Sequence, residues 1–376
     1  MGKAWFVQGL GDKPLTEIEK RKFRHIRISL EKDVETDVGT GLQDVSLIHR
    51  CLPELDLEKI DTHVKLFGKT INAPLIISAI TGGTEEAEKI NSVLASVAED
   101  LNIGICVGSQ RIAVEQPKLS KTFSIVRKKA RNALVLANVG CPQLAKGWGV
   151  KEAEACVKMI DADALTIHMN PLQEAVQVGG DTNYEDILNK IMDLCKSIKT
   201  PVVAKETGAG ISYEDATLLD YAGVAGFEVS GVGGTTWSAV EHYIAKEAGK
   251  PEQERLGAGL WNWGIPSAVS VVEVRKASGK VIIASGGIRS GADAAKCIAL
   301  GADAVGIAKP FLESAVKGRS VLLDHIEGII RELKVVMFLS GVGSVEKMKT
   351  VPVVVMGRTG EWLRIRGFKP EEYAIR

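Results

Sequence analysis

A cluster of polar side chains in the segment IHMNPLQEAVQ, residues 167–177, is the part of the sequence that most suggests chemistry. The segment follows an apolar, strand-like run and holds His168, Asn170, Gln173 and Glu174, with Pro171 among them. A single strand histidine is most often a hydrogen-bonded core residue, and Glu174 could be a metal ligand, a general base or a surface charge. Proteins usually hold Mg²⁺ with a carboxylate, water and a substrate phosphate. The polar neighbours Asn170 and Gln173 therefore favour a binding function for His168 and Glu174.

Lys205, at the end of the apolar run PVVAKE, is a second candidate. A lysine inside a strand is costly to bury unless it meets a negative partner. Three interpretations remain open: an interior ion pair with Glu228 or Glu206, a cation beside an electron-rich cofactor ring, or a Schiff-base lysine.

Basic side chains occur in two further segments. In LTEIEKRKFRHIRI, Arg21 and Lys22 could clamp a phosphate, whereas Arg24 and Arg27 are better explained as solvated charges on a helix. The run Ser109-Gln110-Arg111 ends another apolar segment and offers a fork-shaped phosphate partner.

Glycine-rich segments could hold an anion by their backbone. In ASGGIRSGADAA, Gly286 and Gly287 would let N–H groups approach a phosphate, and the following helix would add its positive end. The alternative is a tight turn that needs glycine. In SGVGGTTWSAVE, Ser230 and Thr235 could hold phosphate oxygens, and Trp237 could exclude water or simply pack.

Apart from Arg21 and Lys22, these candidates share one position, the end of a short apolar strand. Such strands recur at residues 74–83, 103–111, 133–142, 164–174, 201–210, 226–237, 281–291 and 304–311. Strands that are apolar on both faces are typical of a parallel sheet, and helical patterns such as 85–101 and 184–198 separate them. Eight βα units predict an α/β fold, a TIM (β/α)8 barrel, rather than an open doubly wound sheet.

The predicted barrel spans residues 73–345, after an N-terminal extension (1–72) and before a C-terminal tail (346–376). Residues 236–280 form a long insertion between the sixth and seventh strands. In such barrels chemistry takes place where the strands end, and the last two loops commonly bind phosphate. This position favours phosphate binding over a simple turn at Gly286 and Gly287.

Composition narrows the function classes. The chain has 376 residues, with 47 Lys and Arg balanced by 47 Asp and Glu, which argues against a nucleic-acid partner. No apolar run is long enough to cross a membrane, and MGKAWFVQGL lacks an export-signal core, so we expect a cytoplasmic protein. The six cysteines form no CxxC pair and are interpreted as small buried hydrophobic residues.

The ordered motifs RKFRH, AITGG, VGSQR, ANVG, HMNPLQE, SGVGGT followed by Trp, SGGIRSG and Ala-Lys resemble the type 2 isopentenyl diphosphate isomerases, from about residue 20 to 340. HMNPLQE and the Arg-Lys pair are the most specific parts. The resemblance implies an enzyme that interconverts isopentenyl and dimethylallyl diphosphate. It implies FMN, reduced by NADPH, as the acid–base catalyst, Mg²⁺ on the diphosphate, and a homo-oligomer, either tetramer or octamer.

The resemblance also implies roles for individual residues. FMN would contact Ala79, Ile80, Thr81, Ser109, Asn138, Lys205, Ser230, Thr235, Gly286, Gly287, Arg289, Ala308 and Lys309. The substrate diphosphate would contact Arg21, Lys22, Ser109, Gln110, Arg111, His168, Asn170 and Gln173, and Glu174 would bind the metal. Lys205, His168 and Gln173 would support the catalysis. Lys309 departs from the glycine often found after the alanine, which matters little if the backbone binds the phosphate.

The alternative is an FMN-dependent 2-hydroxy-acid oxidase or dehydrogenase. Those enzymes resemble SNHGGR where this chain has SGVGGT, and they need that histidine as base and that arginine for the substrate carboxylate. Val232 and Thr235 occupy these positions here, which disfavours hydroxy-acid oxidation. An IMP-dehydrogenase-like barrel would need a nucleophilic cysteine in a glycine-rich loop, and none of the six cysteines lies in such a loop, which disfavours this alternative. The polar groups at 168–174 exceed what a flavin-storage barrel would require.

Overall fold

The computed structural model describes residues 17–376, with side chains from Lys20 onward. The segment MGKAWFVQGL, on which the expectation of no export signal rests, lies outside the described residues, as does the start of the N-terminal extension.

The described strands, in chain order, are β1 (Val45–Leu47), β2 (Val64–Leu66), β3 (Lys69–Ile71), β4 (Leu75–Ile77), β5 (Gly104–Cys106), β6 (Val135–Gly140), β7 (Ala164–His168), β8 (Val202–Lys205), β9 (Gly226–Glu228), β10 (Val281–Ser285), β11 (Ala304–Ile307) and β12 (Val353–Val355). The described α-helices are α1 (Glu17–Glu31), α2 (Glu85–Leu101), α3 (Arg111–Glu115), α4 (Lys121–Lys129), α5 (Cys141–Ala145), α6 (Val150–Ile160), α7 (Pro171–Val176), α8 (Ile187–Ser197), α9 (Tyr213–Tyr221), α10 (Trp237–Glu247), α11 (Pro251–Gly259), α12 (Ser267–Ala277), α13 (Gly291–Leu300), α14 (Lys309–Lys317), α15 (Arg319–Leu339), α16 (Val345–Met348) and α17 (Gly357–Ile365).

Strands β4 to β11 form a closed barrel in which every neighbouring pair is parallel, with β11 returning to β4. Every residue of β6 is buried, as expected for a strand covered by helices on one face and packed in the barrel on the other. The predicted TIM barrel is therefore confirmed. None of the described helices combines the length and hydrophobicity that a membrane crossing requires.

Local signals in the sequence account for several helix boundaries. Helix α2 fills the predicted range 85–101, and the Thr84 side chain accepts a hydrogen bond from the N–H of Ala87 at its start. Ser290 caps α13 by accepting from the N–H of Asp293, and α13 ends at Gly301, which has φ 120°. The expected insertion after β9 consists of the three helices α10, α11 and α12.

A hairpin closes the end of the barrel opposite the strand C-termini. Strands β2 and β3 pair antiparallel through Phe67 and Gly68, both with positive φ, as a two-residue hairpin turn requires. Leu66 and Ile71 of the hairpin join barrel residues such as Ile76 in one buried cluster. The hairpin therefore completes the core at this end and leaves the opposite end as the accessible one.

The C-terminal tail, whose place the sequence did not reveal, is held by the N-terminal part of the chain. Strand β12 pairs antiparallel with β1, with Val45 opposite Val355. The Asp44 carboxylate accepts a hydrogen bond from the N–H of Thr359 in α17. Four of the cysteines (Cys106, Cys141, Cys156 and Cys297) are buried as interpreted and Cys195 is half-buried, but the interpretation is wrong for Cys51, which is exposed.

We predict that Phe123→Ala lowers the free energy of unfolding by about 3–5 kcal/mol, the cost of a large cavity in a core. The Phe123 ring is fully buried and fills the space beside Gly82, where an added Cβ would lie 2.0 Å from the ring. Denaturant unfolding would measure the change. Leu52→Ala is the control, because Leu52 is 67% exposed and its truncation should have little effect. Equal losses in the two variants would contradict the prediction.

Candidate active site

A cavity of about 280 Å³ opens at the C-terminal ends of the barrel strands. Its lining includes every residue that the sequence predicted for FMN, diphosphate or metal, apart from Gln110. These residues come from all eight strand ends and from α1, which lies across the mouth and adds Arg21 and Lys22. Closure of the barrel thus brings together side chains that are up to about 290 positions apart in the chain.

The Gln110 side chain does not enter the cavity and is fully buried. Its Nε2 donates to the carbonyl of Cys156 at 2.9 Å, and its Oε1 accepts from the N–H of Asn138 at 3.0 Å. These bonds tie the loop after β5 to β6. The side-chain amide therefore satisfies interior backbone groups, and the predicted contact of Gln110 with the diphosphate draws no support from this side chain.

At the cavity floor, Lys205 forms an ion pair with Glu228, with 3.0 Å between Nζ and Oε1. A second ammonium hydrogen bond goes to the carbonyl of Glu206 at 2.9 Å. The Glu206 carboxylate instead accepts from the backbone N–H groups of Gly208 and Gly210. Of the two partners left open by the sequence, Glu228 is the one paired with Lys205.

His168 stands beside Lys205 at the next strand end. Its Nδ1 lies 2.8 Å from Asn138 Oδ1, and Asn138 Nδ2 donates to the carbonyl of Val107. Because Asn138 presents an acceptor, the histidine proton is assigned to Nδ1. Burial, followed by the charges of Lys205, Lys22 and Arg111, lowers the pKa of His168 to about 3. His168 is therefore neutral in the free protein.

Three cations form one wall of the cavity. Lys22 Nζ donates to the carbonyl of Ser109 at 3.0 Å, and Arg111 lies 3.7 Å from Asp181. Burial, then the charges of Arg111 and Arg21, lowers the pKa of Lys22 to about 7. Burial, then Arg111, also lowers the pKa of Arg21. Basic side chains so close together that Arg111 lowers the pKa values of both Arg21 and Lys22 are typical of a site for a multiply charged anion.

Facing the cations, the polar cluster on α7 is ordered by its own hydrogen bonds. Asn170 Nδ2 donates to Gln173 Oε1 at 3.0 Å and to Glu174 Oε1 at 2.9 Å. Glu174 Oε2 accepts from the N–H of Asp181 at 2.6 Å. No group of three or more His, Cys, Asp or Glu side chains with metal-binding geometry occurs in the described part of the chain. A cation at Glu174 would therefore need its other ligands from water and a bound anion.

Glu241 of α10 was not assigned a role from the sequence, although the structure brings it into contact with assigned residues. The carboxylate is buried, accepts from Gln173 Nε2 at 3.2 Å and lies 3.0 Å from His25 Nε2. The His25 ring packs edge-on to Trp237, with 4.9 Å between ring centres. The sequence did contain one signal for this arrangement: Trp237 and Glu241 are four residues apart on one helix, and residues with that spacing lie on the same helix face.

The glycines after β10 pack against the loop after β9. Gly286 and Gly287 have φ of 95° and 74°, and an added Cβ would lie 2.0 Å from the carbonyl oxygen of Gly231 and 2.2 Å from that of Gly233 respectively. Only glycine permits this approach. Ser230, in the same region, has φ 41°, a strained value for a residue with a side chain. The backbone at Gly286 and Gly287 thus forms a tight turn that requires glycine. Both residues also line the cavity, so the turn does not exclude anion binding.

Glu35, which the sequence did not indicate, bridges two cations at this end of the cavity. Its Oε1 accepts from Arg289 at 2.9 Å and from Lys309 at 3.1 Å. Burial opposes ionisation of Glu35, but the two cations outweigh burial and lower its pKa. An internal carboxylate therefore occupies the position where a phosphate could meet these side chains.

Comparison with known proteins identifies similar sequences along almost the whole chain. A family model described as FMN-dependent dehydrogenase matches residues 118–354, which is more than half of the chain. The isopentenyl-diphosphate delta-isomerase of Archaeoglobus fulgidus is 47% identical, covering 93% of this chain and 99% of its own length. That of Ignicoccus hospitalis is 45% identical, covering 94% and 98%. That of Methanothermobacter thermautotrophicus is 45% identical, covering 96% and 99%.

Solved structures share the fold at low sequence identity. A mandelate oxidase mutant superposes with a TM-score of 0.59 and 18% identity, covering 89% of this chain and 92% of that one. A flavocytochrome b2 mutant has a TM-score of 0.63 and 17% identity, covering 93% and 88%. At these identities the likeness shows the barrel architecture alone.

We predict that the protein takes up a proton from the buffer when inorganic diphosphate binds at about pH 8. The anion raises the lowered pKa of Lys22, so the neutral amine becomes protonated. Lys22 is mostly neutral above its free pKa of about 7 and charged below it, so the uptake should fade as the pH drops toward 6. Calorimetry in buffers of different ionisation enthalpy measures the uptake. Lys22→Arg is the control, since arginine stays charged throughout. Undiminished uptake in that variant would exclude Lys22 as the group that accepts the proton.

Proposed function

Because the chain belongs to the family of type 2, FMN-dependent isopentenyl-diphosphate delta-isomerases, we propose that it interconverts isopentenyl and dimethylallyl diphosphate in the cavity at the barrel mouth. One observation carries this proposal: a wall of cations faces an ordered amide and carboxylate cluster, and a buried ammonium lies at the floor beside them. This arrangement suits an anionic substrate that is anchored at one end and transformed at the other.

The cavity fits FMN. Lys205 has two of its three ammonium hydrogens bonded to Glu206 and Glu228, which leaves one for a flavin atom. Ala79, Ile80, Thr81, Asn138 and Ser230 would surround the ring, and Gly286, Gly287, Arg289, Ala308 and Lys309 would hold the phosphate. When bound and reduced, with NADPH as the proposed reductant, FMN would supply the group that adds and removes the proton of the alkene.

The basic residues would anchor the substrate diphosphate. Arg21, Lys22 and Arg111 supply charge, and Asn170 and Gln173 supply amide hydrogen bonds. An anion beside His168 opposes the effect of the neighbouring cations and favours its protonated form. Binding energy at this non-reacting end would orient the isoprenoid end toward the floor.

Glu174 would hold Mg²⁺ together with that diphosphate. Its carboxylate is fixed by Asn170 and Asp181 and lines the cavity, and the other ligands would come from the phosphate oxygens and water. This is the common coordination of Mg²⁺, which seldom has an all-protein cage. The charge of the metal would also offset the repulsion between Glu174 and the substrate.

The apolar end of the substrate needs protection from water, because protonation of an alkene develops cationic character. Trp237, held edge-on by His25, would wall off this end, and Glu241 would orient both His25 and Gln173. Hydroxy-acid oxidation has less support. Val232, at the position of the required histidine, is buried, and its hydrocarbon side chain has no basic group to offer.

Three further expectations extend the proposal. The N-terminal extension (1–72) would serve the barrel (73–345) by contributing Arg21 and Lys22, while residues 346–376 form the tail. The enzyme would assemble as a tetramer or octamer through helical faces. It would act in the cytoplasm.

We predict isomerisation of isopentenyl diphosphate only when reduced FMN and Mg²⁺ are both present. Proton NMR of the product under anaerobic conditions measures the reaction directly. Assays with oxidised FMN, or with a chelator, are the controls and should show no turnover. A protein that retains FMN but converts no substrate under reduced, Mg²⁺-replete conditions would contradict the proposal.

For Glu174→Gln we predict that the Mg²⁺ concentration needed for half-maximal turnover rises at least roughly tenfold, since a neutral amide is a poor ligand for a hard cation. FMN content, measured by flavin absorbance, should not change. Glu185→Gln is the matched control, because Glu185 is exposed and does not line the cavity. An unchanged Mg²⁺ dependence in Glu174→Gln would remove Glu174 from the metal site.

A further inference from the structure

Only one of the two oxygens of the Glu228 carboxylate, at the cavity floor, accepts hydrogen bonds. It is fully buried, and its Oε1 accepts from Lys205 Nζ at 3.0 Å and from Ser78 Oγ at 2.7 Å. Its Oε2 is buried and has no hydrogen-bond partner. Burying a charge that is only partly compensated is costly, so such a group calls for a reason other than stability.

The surrounding barrel is shaped to admit this group. Gly306 of β11 has no side chain, and a Cβ there would lie 2.2 Å from Ser78 Oγ and 3.3 Å from Glu228 Oε1. Hydrophobic side chains of similar volume could fill the same space and would often be as stable as a buried ion pair. The retained carboxylate therefore points to an effect on what the cavity binds.

We propose that Glu228 is a positioning residue that fixes the Lys205 ammonium and limits the positive charge that this ammonium presents to FMN. The proposal rests on the proposed function, in which Lys205 contacts the flavin. Two acceptors, Glu228 Oε1 and the Glu206 carbonyl, hold the ammonium in one orientation, with its remaining N–H directed by elimination away from both. In this proposal Glu228, which also lines the cavity, acts on the cofactor through Lys205.

The pairing with Glu228 lowers the positive potential that Lys205 exerts in the cavity. A lysine paired with a carboxylate acts on a distant charge almost as a dipole, whereas an unpaired lysine acts as a full unit charge in a poorly screened interior. Reduced FMN is more negative than oxidised FMN. Removing the Glu228 charge should therefore strengthen binding of the reduced form relative to the oxidised form, and removing Lys205 should do the opposite.

The test compares the affinity ratio for reduced and oxidised FMN in Glu228→Gln, Lys205→Ala and the unchanged protein, obtained from the midpoint potential of the bound flavin. We expect the ratio to rise at least about tenfold in Glu228→Gln, equivalent to about 30 mV for a two-electron couple, and to fall in Lys205→Ala. Glu228→Met, uncharged and of similar volume, should shift the ratio as Glu228→Gln does and replaces it if that variant does not fold.

Glu273→Gln is the matched control. Glu273 is also buried and pairs with Arg366 at 3.2 Å, but it does not line the cavity, so its substitution should leave the ratio unchanged. A purely structural Glu228 would alter stability and not the ratio. An unchanged or lowered ratio in the Glu228 variants, with the expected fall in Lys205→Ala, would overturn the role of Glu228 alone. No fall in Lys205→Ala would refute the proposed contact between Lys205 and FMN, and with it this inference.

Discussion

Closure of the parallel barrel is the constraint on which the rest of the molecule depends. Once β11 pairs with β4, all eight strands must end at the same rim, and the residues that follow them must share one cavity. The β2–β3 hairpin fills the opposite end, and α1 crosses the open end with Arg21 and Lys22. The site is therefore a product of topology, and its side chains need no proximity in sequence.

Within that cavity, charge is arranged by depth. The floor carries a paired lysine and glutamate, while the wall carries basic side chains among which Arg111 lowers the pKa values of Arg21 and Lys22. His168 lies between the two and is neutral because burial, followed by the charges of both groups of cations, lowers its pKa. An anion entering at the wall would change the protonation of Lys22 and His168 together. Substrate binding and proton balance are thus linked by the same few charges.

The barrel fold is shared with a mandelate oxidase mutant and with a flavocytochrome b2 mutant. Val232 stands where a catalytic base of the hydroxy-acid enzymes would be expected, and the polar side chains concentrate instead on α7. The barrel fixes where the strand ends meet, and the side chains placed there decide the chemistry.

Short-range patterns in the sequence, namely apolar strands, helical periodicity and polar groups where strands end, were enough to predict the barrel and the range of α2. The family resemblance added the individual site residues, and all of them except Gln110 line the cavity. Only the tertiary structure decided that the Gln110 amide faces the interior, that Glu228 rather than Glu206 pairs with Lys205, and that Glu35 bridges Arg289 and Lys309. It also decided the pairing of β1 with β12 and the neutrality of His168. The physical reason is that a side chain's direction, its burial and its charged neighbours are set by segments distant in the chain, which local patterns do not contain.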